Sequence, residues 1–483
     1  MPRSAFGGTS ELRILYISHT LPPEPGPTLR PLAQAKELEA LGHSVLILTT
    51  MPHAPLGRIF DGYRHRMFLR ESMEGVEILR IWSLPSPNHG VFRRTLSHFS
   101  FGMTALLVGL LLSKRDLIIS SVPNVGTELG GYVLARLRRS RFLLEMRDLI
   151  PDNLALVGTK PTSSTYRLLD AYFSFFYRHA DWLALPGRSM IEALVRRGIT
   201  RDRLLYLPHA VDAWTLRPPQ TPLRDQLGIG DDFVVLYCGS FSPYYDIPTM
   251  IDAAQLLVHM DKRVRILLLG TGRDRSDIET SLRTRGISNV TLCDPVPPHK
   301  VPQYLQLAQL GLAPFVACWE TPIFRDHLTT KATQYLGWGV PVVSIERAHS
   351  GVSGRLLERI GVGARVEAAD ARGLAETIVA YSRDPQRCAR ESQRAEEYAR
   401  SHLSRRVVVS RFERELTRRM YEDARHTSKD RHGVGIHEDS LVATAGVQQP
   451  EAQVIRSPTK WRAKRKHPAG CGVREVQQWH GEQ

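Results

Sequence analysis

The sequence predicts an α/β chain of two successive parallel-sheet halves followed by closing helices. Three observations support this. Short apolar runs bounded by turn residues alternate with longer stretches of helical periodicity. Gly42 closes the first helix just before the next strand, as in a βαβ unit. Residues 212–232, rich in Pro, Asp and Arg and without apolar periodicity, interrupt the alternation and read as a linker.

The first half opens with a buried-strand run at 13–18, a turn-rich loop at 19–27, a helix at 29–41 and a strand at 43–49. A strand at 76–81, a helix at 99–112 and a strand at 116–120 come next. A helix at 128–138 leads to a strand at 141–146, and helices at 164–178 and 188–197 precede a short strand at 203–207. The second half restarts with a strand at 233–239, a helix at 247–259, a strand at 265–269 and the Gly270-Thr271-Gly272 turn. Another helix and strands at 290–292 and 311–314 follow. A polar loop then enters a short helix at 329–336, a Gly-x-Gly-x-Pro break (Gly337 to Pro341) and an apolar strand at 340–345. Helices continue to 421. The expected organisation is a Rossmann-like domain at 1–211, a linker at 212–232, and a second Rossmann-like domain with closing helices at 233–421. Residues 422–483 read as a disordered tail, with a basic cluster at 460–466.

The length of 483 residues suits two domains, and the composition is that of a globular protein. A net charge of +15 is compatible with acidic small substrates or an anionic membrane surface. No nucleic-acid-binding pattern accompanies it, so nucleic acid is not expected as a partner. The five cysteines are scattered without C-x-x-C spacing, which argues for free thiols in a reducing compartment and against a zinc site. The first residues lack an apolar leader core. The most apolar run, 99–112, falls short of the roughly twenty residues that span a bilayer. The expected location is cytoplasmic. The 99–112 helix follows Arg93-Arg94 and reads either as a core helix on the sheet or as one dipping into a membrane interface.

Ligands of such sheets bind beyond the carboxyl ends of the strands, and the candidates sit at such ends. Lys331 lies in the first turn of the 329–336 helix, so an anionic diphosphate meets ammonium and helix dipole together. Gly239 and Ser240 end the first strand of the second half, and their backbone N–H groups are candidate phosphate donors. Gly272 closes a G-x-G turn. Glu145-Met146-Arg147-Asp148 ends the fifth strand, a charge cluster that must pair internally or meet a ligand. The loop Leu21-Pro22-Pro23-Glu24-Pro25-Gly26 follows the first strand, and Gly26 offers bare backbone there.

Read together, these motifs resemble the GT-B glycosyltransferases of family 4. The family segment P-S-K-L-F-E-Y-(M/L)-A-x-G-x-P-V-(I/V) is matched by Thr329 to Val342, with Gln334 at the family glutamate. Residues 145–158 (EMRDLIPDNLALVG) resemble the E-V-R-D-L-W-P-E segment of a bacterial polysaccharide branch, of the colanic-acid and O-antigen type. Gly26 matches the P-P-E-x-G-G loop, with Pro27 at its second glycine. Residues 52–57 and 62–64 echo a further P-x-Y-P-x-G…G-Y-R pattern. The resemblance implies two Rossmann-like domains with a cleft between them. It also implies transfer of a sugar from a nucleoside diphosphate to a lipid-linked glycan, with retention, no cofactor and no obligatory metal. Arg147, Asp148 and Asp326 are the implied catalytic residues. Gly26, Gly239, Ser240, Gly272, Lys331 and Gln334 are the implied donor-binding residues. The departures at Gln334, at Pro27 and in the cation-free loop after Gly239 leave open a non-catalytic sugar-nucleotide-binding paralogue or assembly subunit.

Overall fold

The computed structural model describes residues 11–24, 29–54, 56–87, 91–122, 125–155, 159–212, 222–242, 245–315, 328–347 and 353–432. The first half contains β1 (Arg13–Ser18), α1 (Leu29–Ala40), β2 (Ser44–Thr50), β3 (Phe68–Met73), β4 (Val76–Ile81), α2 (Val91–Leu111) and β5 (Leu117–Val122). It continues with α3 (Thr127–Arg138), β6 (Arg141–Met146), α4 (Asp152–Ala155), α5 (Ser164–His179), β7 (Trp182–Leu185), α6 (Arg188–Arg196) and β8 (Leu204–Tyr206). After α7 (Leu223–Gln226) come β9 (Phe233–Cys238), α8 (Ile247–Met260), β10 (Val264–Leu269), α9 (Arg275–Thr284), β11 (Val290–Cys293), α10 (Val301–Leu307) and β12 (Leu310–Pro314). The chain closes with α11 (Thr330–Gly337), β13 (Val342–Glu346), α12 (Gly354–Ile360), β14 (Gly363–Glu367), α13 (Ala371–Ser382), α14 (Pro385–Tyr398) and α15 (Arg405–His432).

The strands form two sheets, ordered β3-β4-β2-β1-β5-β6-β7-β8 and β11-β10-β9-β12-β13-β14. Apart from the antiparallel β3–β4 pair, the paired strands run parallel. Sheets covered on both faces need nearly continuous apolar strands, and β2 and β5 supply them. On the first sheet, Leu15, Ile17, Phe142 and Leu144 pack against Phe101, Ala105, Leu134 and Phe176 of α2, α3 and α5. On its other face, Ile14, Ile47 and Leu143 meet Leu32, Ala35 and Leu38 of α1.

Several elements depart from the sequence expectation. The edge strand β3 alternates exposed and half-buried residues, too polar a pattern to stand out. Strand β7 falls between the expected helices at 164–178 and 188–197, where no strand is expected, and β14 lies within the stretch expected to be helical. Helix α2 begins at Val91, so Arg93 and Arg94 lie within its first turn instead of preceding it. Helix α7 sits inside the expected linker. Helix α15 continues past residue 421 to His432, and it returns to the first sheet, where Val408, Val409, Phe412 and Leu416 join the core over β1 and β2. The backbone N–H of Val211 donates to Leu403 O (2.9 Å), and Arg405 pairs with Asp212 at 2.5 Å, so the return is pinned where the first half ends. Both sheets belong to one compact unit that runs through Thr427. Gly26, Asp326 and the basic cluster at 460–466 lie outside the described residues.

Candidate active site

At the end of β6, Glu145 is fully buried. Its Oε1 accepts from Arg30 Nε at 2.6 Å, and its Oε2 accepts from the Tyr16 hydroxyl, which also lies 2.7 Å from Gln34 Oε1. Arg30 Nη2 donates to Leu207 O (3.1 Å), and Nη1 meets His209 Nδ1 at 2.9 Å. Burial alone would raise the Glu145 pKa. The Arg30 and Arg147 charges and the Tyr16 and Arg30 hydrogen bonds outweigh that and hold it below the ordinary value. Glu145 is thus committed internally, fixing β1, α1 and β6 to one another. Past Met146, Arg147 and Asp148 are half-buried, and Arg147 Nη2 donates to Ser121 Oγ at 3.2 Å. Desolvation raises the Asp148 carboxyl, and Arg147 partly offsets this.

The described part of the loop after β1 is a built structure. Glu24, buried, accepts from the backbone N–H groups of Leu21 (3.3 Å), His53 (2.9 Å) and Ala54 (2.9 Å). Arg80, 0% exposed, donates to Thr50 O (3.2 Å) and to Pro22 O. Residues 21–24 and 53–54 are therefore one unit, the Glu24 carboxylate gripping the backbone of the second segment. Beside it His19, 4% exposed, makes edge-on ring contacts with His53, His98 and Phe101. Burial, then the neighbouring histidines, keep His19 well below the usual range.

In the second half, Thr329 caps α11, its hydroxyl accepting from Ala332 N at 3.2 Å. A helix makes no internal use of its first N–H groups, so those of Thr330 and Lys331 are available to an anion. The Lys331 ammonium lies 3.5 Å from the Tyr245 ring centroid and 5.6 Å from that of Tyr237, a cation–π seat between two tyrosines. A methyl group on Gly239 would strike Lys331 Cε and come within 2.9 Å of Nζ. Lys331 is therefore seated against the end of β9, where the following loop carries no cation of its own. Gly239 contributes room for it, and its own N–H is not a phosphate donor because it is bonded to Leu269 O at 3.0 Å. Ser240 is exposed, and its carbonyl accepts from Tyr237 OH at 2.6 Å. Gly272 lets the turn after β10 lie directly on the Phe241 carbonyl, where a side chain would clash. Gln334 is exposed on α11. Buried Glu346 steadies the arrangement: its Oε2 accepts from Ser344 Oγ (2.9 Å), Ser353 N (3.1 Å) and Gly354 N (3.2 Å), and Ser353 Oγ accepts from Thr329 N at 3.4 Å.

The structure thus brings Lys331 together with Gly239, and sets Arg147 and Asp148 beyond a fixed carboxylate. Arg30, Tyr16, Tyr237 and Tyr245 went unnoticed in the sequence. The one local signal for Arg30 is its place in the first turn of a helix, where a cation opposes the dipole.

The profile described as "Glycosyl transferase 4-like domain" matches residues 26–210, and that of "Glycosyl transferases group 1" matches residues 232–384. The putative colanic acid biosynthesis glycosyl transferase WcaI of Escherichia coli (strain K12) is 24% identical over 394 residues, covering 78% of this chain and 92% of that one. Among solved structures, sucrose-phosphate synthase from Thermosynechococcus elongatus superposes with a TM-score of 0.65 at 17% identity, over 85% of this chain and 99% of that one. HepE of Anabaena in complex with UDP-glucose does so with a TM-score of 0.61 at 15% identity, over 84% and 100%. Two family profiles that together cover more than half of the sequence, and two parallel sheets arranged as in these neighbours, make the chain a member of the GT-B glycosyltransferases of family 4.

Proposed function

We propose that the chain moves a sugar from a nucleoside-diphosphate donor to a glycan acceptor, with retention of configuration, in the synthesis of a cell-surface polysaccharide. The observation that carries this is the seat of Lys331, at the capped N-terminus of α11 and against Gly239 at the end of β9. The names of its relatives agree: HepE was solved with UDP-glucose, and WcaI is a putative colanic-acid transferase.

In this reading the C1–O bond to the diphosphate breaks as Lys331 and the first-turn N–H groups neutralise the departing phosphate. The acceptor oxygen bonds C1 on the same face, and its proton passes to the leaving phosphate oxygen. Arg147 and Asp148 stand on the acceptor side, where Asp148 orients the hydroxyl or stabilises positive charge at C1. Closure of the halves over the donor excludes water. Asp326 and Gly26 keep the roles that the resemblance implies, and Gln334 holds the ribose as a neutral amide. The acceptor is a lipid-linked glycan, and the protein works as a peripheral partner of the cytoplasmic membrane face.

Exposed, uncharged Gln334 favours a second reading, a sugar-nucleotide-binding subunit without catalysis. Slow donor hydrolysis separates the two. The transferase reading expects release of free sugar with the donor's anomeric configuration, detected by NMR, and a drop of about 100-fold or more in Asp148→Asn. Saturable donor binding with no hydrolysis and no transfer would favour the subunit.

A further inference from the structure

Helix α2 buries one side and leaves the other apolar and bare. Phe101, Ala105 and Val108 enter the core, and Gly102 meets the backbone of Gly126 and Gly130 so closely that a side chain there would clash. On the outer side Phe92 (80% exposed), Leu96, Phe99, Met103, Leu107 and Leu111 (86%) follow at helical spacing, forming one stripe along the helix. Core packing does not account for six large apolar side chains facing water in a row. The neighbouring helices of the layer add exposed Leu129 and Leu137 on α3, and Leu168 and Phe175 on α5.

Charge identifies the occupant. No aspartate or glutamate occurs between Glu77 and Asp116, whereas Arg93, Arg94 and Lys114 are exposed at the two ends of the stripe. A second copy docked stripe to stripe would bring these cations into one interface. An anionic lipid surface accepts both the apolar side chains and the cations. No helix among the described residues is long and apolar enough to cross a membrane, and α2 is held to the sheet by its buried side. It therefore lies flat.

We infer that the outer face of α2 is the surface by which this protein seats itself on an anionic bilayer, its axis in the membrane plane. The inference builds on the lipid-linked-acceptor reading and adds where the membrane sits. His98, in the same turns as Leu96 and Phe99, touches His19 at the end of β1 (ring centroids 4.5 Å apart). The first turns of α2 thus border the strand ends where Arg147 and Asp148 lie, and a seated stripe presents them to a membrane-held acceptor.

Vesicle flotation with the full chain tests this. Wild type is expected to float with phosphatidylglycerol-containing vesicles, less with pure phosphatidylcholine, and less as salt rises. Phe92→Ser/Leu107→Ser/Leu111→Ser should weaken partitioning roughly tenfold or more. Arg93→Gln and Arg94→Gln should each weaken it about fivefold, on anionic vesicles only. Unchanged thermal unfolding and nucleotide-sugar titration confirm that the variants are folded, and they read the donor site separately from the membrane face. Absence of wild-type flotation would overturn the proposal, as would flotation indifferent to the stripe. Conversion of a dimer to a monomer by the stripe variant, at unchanged vesicle partitioning, would assign the face to a second copy instead.

Discussion

Gly239 and Lys331 lie 92 positions apart in sequence, yet each explains the other. Any β-carbon at 239 displaces the lysine, so Gly239→Ala is expected to weaken donor binding while leaving the Tm almost unchanged. Lys331→Ala should cost about 1.5–3 kcal/mol of donor affinity, the worth of a hydrogen bond to a charged group. The lysine's place in a helical first turn was legible from sequence. The glycine's role was not, because it depends on what arrives from across the sheet. A second residue carries a pH signature. Glu128 is buried at the start of α3, and burial, opposed by hydrogen bonds from Gly126 N and Tyr172, lifts its pKa from 4.5 to about 7. Between those values the folded state keeps a proton that the unfolded chain has lost. The group's penalty therefore grows as pH rises through that window and is full above it. Glu128→Gln removes the penalty, so in denaturant melts the variant's stability gain at pH 8 should exceed that at pH 5 by about 2 kcal/mol. Equal gains at both pH values would refute the assignment.

Among the elements, those with strong periodicity or a continuous apolar run were read closely from sequence: β1, α1, β6, β9 and α11. Those that owe their existence to neighbours were not. β3 is a polar edge held by β4, and β14 is a short, partly exposed edge strand held by β13. Helix α2 shows the limit of pattern alone. Its run is apolar all round, and only the structure shows that one side is core and the other is bare. Helix α15 is a different case, since its destination could not be read locally. Phe412, 5% exposed, plugs it onto the first sheet beside Val409 and Leu416. Phe412→Ala is expected to cost about 3–5 kcal/mol. Because α15 begins after the second sheet, the loss should lower the unfolding transition of the first half. Selective amide exchange in β1 and β2 checks this.

At the scale of the whole molecule, the division of labour follows from the two sheets. The first offers a rigid floor, with Glu145 spent on Arg30 and Tyr16, and Glu24 on the 53–54 backbone. Just beyond this fixed carboxylate stand the half-buried Arg147 and Asp148. The second sheet offers a helix terminus and one lysine for an anion. The chain's path ties the two halves, leaving the first at Val211 and re-entering it through α15, with Arg405 on Asp212 at the crossing. The fold class and the order of the motifs were legible because glycine, proline and strand runs punctuate the chain. The internal partners of the buried charges were not, because ion pairs between distant strands leave no periodic trace. The measurement closest to the central claim is calorimetric titration of the folded protein with GDP-, UDP- and dTDP-sugars, with Lys331→Ala in parallel. Saturable binding of one nucleotide class, weakened roughly 10- to 150-fold in the variant, is the result expected. Binding undiminished in Lys331→Ala, or no binding by the folded wild type to any of the panel, would contradict a donor site at the α11 terminus.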